Sequence, residues 1–319
     1  MPEPAHQAVR ILDIDAAHCG QRLDNYLLGR LKGVPRSHIY RIVRTGQVRI
    51  NRSRVRPGYR LQAGDQVRIP PIRLPSRTPP VLSGSGTDWA KHTLFEDDCL
   101  WVIDKPARLA VHSGSGVTAG LIEQLRRDRP DSRFLELVHR LDRDTSGCLI
   151  IAKKRSVLTR LHEDLRKTSA RSHRVKKQYL ALVRGHWPAG LREIEAPLRK
   201  NAMRGGERRA VVDTHGRHAK SRFRPLTYYP DATLVEIVLF TGRTHQARVH
   251  AASAGYPIGG DAKYGNQKFN AELAAIGLNR LFLHAASLSF EHPTSGVRLT
   301  VESPLPDTLL ATLEGLEPA

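Results

Sequence analysis

The sequence contains few of the residues that build disulfide frameworks, metal centres or membrane spans. Its 319 residues include three cysteines, two methionines and three tryptophans. Cys19, Cys99 and Cys148 are isolated, and the sequence has neither a CxxC nor an HExxH spacing, which argues against disulfides and against a bound metal. No apolar run reaches the roughly 18 residues that span a membrane, and the first residues lack a signal-peptide core. We therefore expect a cytoplasmic protein without a metal.

Acidic residues are scarce relative to basic ones. The chain has 51 Lys and Arg against 31 Asp and Glu, a formal net charge of +20. Such an excess predicts an extended anionic partner, and nucleic acid is the first candidate. The imbalance is strongest between Asp24 and Asp65, where no acidic residue occurs. The basic residues of that interval are Arg30, Lys32, Arg36, Arg41, Arg44, Arg49, Arg52, Arg54, Arg56 and Arg60.

The same interval has the pattern of a small folded module. Leu23, Leu27 and Leu31 recur at helical spacing, a second helix is predicted to end at Gly46, and two alternating segments predict strands. The order GQRLDNYL, PRSHIYRIVRTGQVRINR and LQAGDQVRIP resembles the S-four-type RNA-binding domain, an αL fold. That resemblance implies that basic side chains of the module contact RNA phosphates. The expected contacts are Arg36, His38, Arg41, Arg44 and Arg49.

A segment rich in Pro, Gly and Ser follows this module and can neither continue a strand nor form a helix. We interpret it as a linker between two domains. The predicted organisation is an N-terminal lead-in at 1–17, the S-four-type domain at 18–70, the linker at 71–90 and a catalytic domain at 91–319.

The central feature of the larger domain is the stretch LVHRLDRDTSGCLIIAK, in which two apolar runs flank a polar turn. Asp142 lies in this turn beside His139, Arg140 and Arg143. The neighbouring guanidinium groups favour an ionised carboxylate, so Asp142 is a candidate nucleophile, although an Asp beside Arg is more often a surface ion pair. Asp144 would point to the opposite face of a strand and is a poor second catalytic carboxylate.

The motif HRLDRDTSG resembles the central motif of the RluA/RluC/RluD-type pseudouridine synthases, which modify ribosomal and transfer RNA. Lys105-Pro and the TGRTHQ segment resemble two further motifs of that family. The resemblance implies that Asp142 is the catalytic nucleophile and that Arg243 pairs with it. It also implies that Tyr179, in KQYLALVRG, is a platform for the base and a proton acceptor. We add Arg140 to the residues expected to contact RNA.

The resemblance further implies an α/β (α+β) fold whose catalytic domain has a mixed, mainly antiparallel sheet. The implied activity is isomerisation of uridines in large-subunit (23S) ribosomal RNA, without a cofactor. We expect a monomer with no obligate protein partner. Whether Asp142 attacks C6, attacks C1′ or removes a ribose proton is left open, as are two other functions. A non-catalytic RNA-binding or ribosome-assembly protein needs no ionised Asp142, and a metal-dependent nuclease needs a carboxylate cluster.

Overall fold

The computed structural model divides the chain into two compact units, Met1–Ser83 and Gly84–Ala319. Residues 73–86 of the predicted linker lie outside the described residues, so the linker boundaries stay a prediction. The structure describes residues 9–31, 34, 36–72, 87–112, 120–167, 174–190, 192–202 and 208–316.

The small unit is a four-stranded antiparallel sheet with two α-helices. Its strand order is β1-β4-β2-β3. The two predicted helices and the two predicted strands are confirmed. Arg10–Asp13, which fall in the predicted lead-in at 1–17, instead form β1, which pairs with β4 and completes the sheet. The elements are β1 (Arg10–Asp13), a 3-10 helix (Ala16–His18), α1 (Leu23–Arg30), α2 (Arg36–Arg44), β2 (Arg49–Ile50), β3 (Ser53–Arg54) and β4 (Gln66–Ile69).

A buried carboxylate links the two helices of the small unit. Asp24, at the start of α1, is 1% exposed and accepts hydrogen bonds from Arg22 Nη2 at 2.8 Å and from the Tyr40 hydroxyl of α2 at 2.7 Å. The hydrogen bond from Arg22 holds the pKa of Asp24 well below its ordinary value, against the opposing effect of burial. Leu23, Leu27 and Leu31, which recur every four residues, pack side by side in the apolar core of the small unit.

The large unit contains a ten-stranded sheet with helices on it and a separate two-stranded ribbon, β11-β12. The sheet order is β10-β13-β14-β9-β15-β8-β6-β5, with β16 beside β15 and β7 beside β8. Its elements are β5 (Thr93–Glu96), β6 (Leu100–Lys105), α3 (Leu121–Asp128), β7 (Glu136–Leu137), β8 (Ser146–Ala152), α4 (Arg155–Lys167), β9 (Val175–Arg184), β10 (Arg192–Glu195), β11 (Leu198–Ala202), β12 (Arg208–Val212), β13 (Lys220–Tyr229), β14 (Ala232–Leu239), α5 (Gln246–Ser253), α6 (Gln267–Ala275), β15 (Leu283–Glu291), β16 (Arg298–Glu302) and α7 (Asp307–Glu314).

Strand β8 is an interior strand of this sheet, and all seven of its residues are buried. It is antiparallel to β6 and parallel to β15, which is the one parallel pairing among the described strands. Gly147 has φ +107°, and a Cβ there would lie 2.3 Å from the backbone oxygen of Ala285. Glycine is therefore required where β8 meets β15.

The predicted mixed, mainly antiparallel α/β architecture is confirmed. The predicted turn of Asp142 joins β7 to β8. The described helices are all too short or too polar to cross a membrane.

We predict that Asp24→Asn loosens the small unit. A buried hydrogen-bonded charge contributes about 2 kcal/mol, so amides of α1 and α2 should exchange hydrogen roughly thirtyfold faster in the full-length variant. Because the pKa of Asp24 is lowered on folding, its contribution is complete above the ordinary value of 3.8 and is lost as pH falls toward the lowered pKa. Asp13→Asn, at an exposed carboxylate that accepts from Gln66, is the control. Equal exchange in the two variants would contradict the prediction.

Candidate active site

The turn that carries Asp142 is tied to the sheet by a buried lysine. The backbone N–H of Thr145 donates to the Asp142 carbonyl at 3.2 Å, which closes the turn. Lys105 Nζ, at the end of β6, donates to the carbonyls of Arg143 at 3.1 Å, Leu109 at 2.9 Å and Pro106 at 2.7 Å. Burial lowers the pKa of Lys105 to about 7. Lys105 therefore joins the Asp142 turn to the loop after β6.

Two basic side chains from α5 and the turn before it face the Asp142 carboxylate. Arg248 Nη1 lies 3.7 Å and His245 Nε2 lies 3.9 Å from Asp142 Oδ2. Arg248 is itself held by Asp261, to which its Nε and Nη2 both donate at 2.7 Å. Burial opposes ionisation of Asp261, but the hydrogen bonds and charge of Arg248 keep its pKa below the ordinary value. This bidentate pair fixes the third guanidinium nitrogen toward Asp142.

Asp142 opens onto a cavity of about 460 Å³ that we call the Asp142 cavity. Its walls are the Asp142 turn, part of β9 and the segment from the end of β14 to the start of α5. Tyr179 of β9 lines it, and none of the described residues hydrogen-bonds the Tyr179 hydroxyl. Burial, together with the negative charge of Asp142, raises the pKa of Tyr179, so this hydroxyl is protonated at neutral pH. Arg140 is an exposed member of the same wall.

The expected pairing of Arg243 with Asp142 is wrong. Arg243 lines the Asp142 cavity, but its Nε donates to the His218 carbonyl at 2.9 Å, and no ion pair joins it to Asp142 within the described part of the chain. Its backbone N–H donates to Gln246 Oε1 at 3.1 Å, which fixes the turn before α5. The cation beside Asp142 comes instead from Arg248, inside the helix.

Comparisons with known proteins agree with this geometry. A family model described as RNA pseudouridylate synthase matches residues 99–253, and an S4 domain model matches residues 21–67. The chain is 51% identical over 303 residues to the ribosomal large subunit pseudouridine synthase C of Pasteurella multocida, which covers 94% of this chain and 91% of the relative. The chain belongs to the RNA pseudouridine synthases. The corresponding Escherichia coli K12 protein is 49% identical over 317 residues, 98% of each chain.

Two solved human structures resemble this pseudouridine synthase. Human RNA pseudouridylate synthase domain containing 1 aligns with a TM-score of 0.57 at 25% identity, over 71% of this chain and 88% of that one. Human RNA pseudouridylate synthase domain containing 4 aligns with a TM-score of 0.56 at 27% identity, over 72% of this chain and 95% of that one. Membership of this family makes the protein an isomerase.

His245 is held in a strained backbone conformation in the synthase. It precedes α5 with φ +56° and ψ 23°, a left-handed geometry that is uncommon for residues other than glycine. Its Nδ1 is 2.8 Å from the Tyr264 hydroxyl, and Gln246 bonds to Lys220, Ser221 and Thr241. These contacts set the turn so that His245 Nε2 faces Asp142.

The residues of the site that the sequence did not indicate include Arg248 and Asp261. One signal points to this pair. Arg248 lies between Ala247 and Val249 in a helix whose first six residues are all buried. A buried arginine needs a carboxylate partner, and Asp261 is the first acidic residue after it in the sequence. Among the described residues, no three His, Cys, Asp or Glu side chains are grouped to hold a metal.

The residues expected to contact RNA in the small unit lie on α2 and β2. Arg41 and Arg44 are exposed, and Arg41 Nη2 is 3.2 Å from His38 Nδ1. Arg49 donates to the Gly46 and Arg52 carbonyls at 3.3 Å. The side chain of Arg36 lies outside the described residues.

We predict that Asp261→Asn is strongly destabilising. It removes the bidentate counter-charge of the buried Arg248 and leaves only the longer contact to Asp142 at 3.7 Å, which costs about 3–5 kcal/mol. The control is Asp144→Asn, because the Arg143–Asp144 ion pair has side chains 63% and 36% exposed and should contribute at most about 1 kcal/mol. Denaturant unfolding of both variants measures the difference. Similar losses in the two variants would show that the buried pair has no special role.

Proposed function

We propose that this pseudouridine synthase isomerises uridines of large-subunit (23S) ribosomal RNA with Asp142 as the nucleophile. The supporting observation is the position of Asp142 at the Asp142 cavity, with Arg248 3.7 Å from its carboxylate and Tyr179 in the facing wall. The relatives from Pasteurella multocida and Escherichia coli are named as ribosomal large subunit enzymes. Since ribosomes are assembled in the cytoplasm, we expect the protein there.

The reaction breaks the bond between ribose C1′ and uracil N1, rotates the base and joins C1′ to C5. It is an isomerisation, so no cofactor is consumed. Attack of Asp142 on C6, attack on C1′ and removal of a ribose proton all require an ionised carboxylate. Arg248, whose donors are fixed by Asp261, stabilises that charge and orients the carboxylate.

A uridine in a folded RNA must leave its stack before Asp142 can reach it, which costs a few kcal/mol. The Asp142 cavity supplies surfaces that offset this cost. The ring of Tyr179 offers a platform for the base, and its protonated hydroxyl offers a hydrogen-bond donor. Arg140, Arg243 and Lys177 line the same cavity and offer positive charge to the RNA backbone.

The small unit supplies affinity and target choice in this proposal. The exposed Arg41 and Arg44, with His38 and Arg49, offer positive charge on a module that matches the S4 domain model. Arg36 stays among the expected contacts from its sequence position. Phosphate contacts of this kind fix the register of a protein on RNA without contacting the reacting base. Chemistry and positioning are thus assigned to different units of the chain.

We predict that Asp142→Asn abolishes isomerisation while RNA affinity stays within about twofold of the native value, because the amide keeps the volume but loses the nucleophilic charge. Pseudouridine mapping in 23S ribosomal RNA treated with each protein measures the first effect, and equilibrium binding measures the second. Asp98→Asn, at an exposed carboxylate outside both cavities, is the matched control. Native turnover by Asp142→Asn would refute the assignment of the nucleophile. RNA binding without isomerisation by the native protein would support a non-catalytic RNA-binding function.

We predict that Tyr179→Phe retains RNA affinity and slows isomerisation by roughly a hundredfold or more, the usual contribution of a group positioned for proton transfer. The phenyl ring keeps the platform, so binding and chemistry are separated in one variant. Tyr179→Leu is the comparison that removes the ring as well. An unchanged rate in Tyr179→Phe would restrict Tyr179 to stacking.

A further inference from the structure

A second cavity of about 520 Å³ adjoins the Asp142 cavity and shares His245 and Arg248 with it. We propose that this second cavity binds one backbone phosphate of the substrate RNA next to the isomerised uridine. The proposal rests on the proposed function, because it places a phosphate of the same RNA beside the same site. The cationic side chains that line the cavity are Arg108, Arg143, Arg209, Arg248, Lys263 and Arg280.

The described carboxylates that line the second cavity are each engaged by a neighbouring arginine. Asp144 and Asp261 line the cavity against six cationic side chains. Asp144 is bonded to Arg143 Nε at 3.2 Å, and Asp261 holds Arg248. Within the described ranges, neither Arg108 nor Arg280 has a carboxylate in ion-pair contact. Among the described residues, the cavity therefore presents two arginines that have no carboxylate in direct contact.

Neutral groups hold these two arginines in place. Arg108 Nη2 donates to the backbone oxygen of Asn279 at 2.7 Å and to its Oδ1 at 3.2 Å. The next residue, Arg280, donates from Nη2 to Ser146 Oγ at 2.6 Å. Ser146 is fixed in turn by His284, whose Nδ1 lies 2.9 Å from its Oγ. Both guanidinium groups keep further N–H donors for an anion, in the planar arrangement that matches phosphate oxygens.

The two arginines also repel each other. Burial lowers the pKa of Arg280 and the charge of Arg108 lowers it further, while the charges of Asp104 and Asp144 act in the opposite direction. Like charges held together raise the energy of the empty site, and an anion between them lowers it. This electrostatic state is typical of a site prepared for a negatively charged ligand.

The lining of the second cavity favours phosphate over a nucleobase. None of its described residues is Phe, Tyr or Trp, and its aliphatic side chains are those of Ala262 and Leu281. A base would therefore find no large aromatic platform there, whereas the Asp142 cavity offers Tyr179. Because the two cavities share a wall, a strand with its uridine in one can place an adjacent phosphodiester in the other.

The test is a thermodynamic cycle between Arg108 and single phosphates of the RNA. A fragment of large-subunit ribosomal RNA that the native protein binds is prepared with one neutral methylphosphonate linkage at a time around the target uridine. Native protein, Arg108→Gln and Arg280→Gln are compared, with Arg127→Gln as the control. Arg108 is exposed, so its substitution should leave the fold intact, and Arg127 lies on α3 outside both cavities.

We expect Arg108→Gln to weaken RNA binding roughly tenfold and to flatten the salt dependence by about 0.7, as for one lost single-strand phosphate contact. At one linkage beside the target, the methylphosphonate should weaken binding by the native protein but not by Arg108→Gln. The proposal would be overturned if RNA binding by Arg108→Gln had the salt dependence of the native protein and if every methylphosphonate weakened binding equally in the two proteins. Tight binding of inorganic phosphate alone, at fixed ionic strength, without any linkage effect, would also overturn it, because that result identifies a free-anion site. Isomerisation of the same RNA is scored separately, so a failure of the proposed function is distinguishable.

Discussion

The active site depends on one buried ion pair, between Arg248 and Asp261. Their side chains are 8% and 0% exposed, and an arginine so buried is tolerated only with a hydrogen-bonded counter-charge. Asp261 takes two guanidinium nitrogens and leaves Nη1 facing Asp142. The position of that cation is therefore set by packing inside the protein, before any RNA arrives. Such preorganisation is what a developing or permanent charge at Asp142 requires.

The strands of the sheet hold Asp142 and Tyr179 at the same cavity. Strand β8 follows the Asp142 turn and packs against β15, at a contact that only Gly147 allows. Strand β9 pairs with the other edge of β15 and carries Tyr179 to the Asp142 cavity. Lys105, at the end of β6, holds the Asp142 turn by donating a hydrogen bond to the carbonyl of Arg143. Asp142 is thus anchored by neighbours on both sides of β8.

The two cavities differ in the charged and aromatic side chains that line them. In the Asp142 cavity the cations surround a carboxylate and an aromatic ring, which suits a base and its sugar. In the second cavity Arg108 and Arg280 lack a carboxylate partner among the described residues, which suits a phosphate. The two cavities therefore offer different chemistry, one to a base and one to an anion.

The sequence by itself determined the local features and the family. Leucine spacing fixed α1, apolar runs fixed the strands around Asp142, and the motifs identified Asp142 and Tyr179, because these signals depend on neighbours along the chain. The tertiary structure decided which arginine faces Asp142. Arg243 and Arg248 lie five residues apart in one motif, and spacing alone could not show that the turn before α5 directs Arg243 to the His218 carbonyl. It also decided that β1 completes the small sheet, since strand pairing and the Arg248–Asp261 contact join residues that the sequence keeps apart.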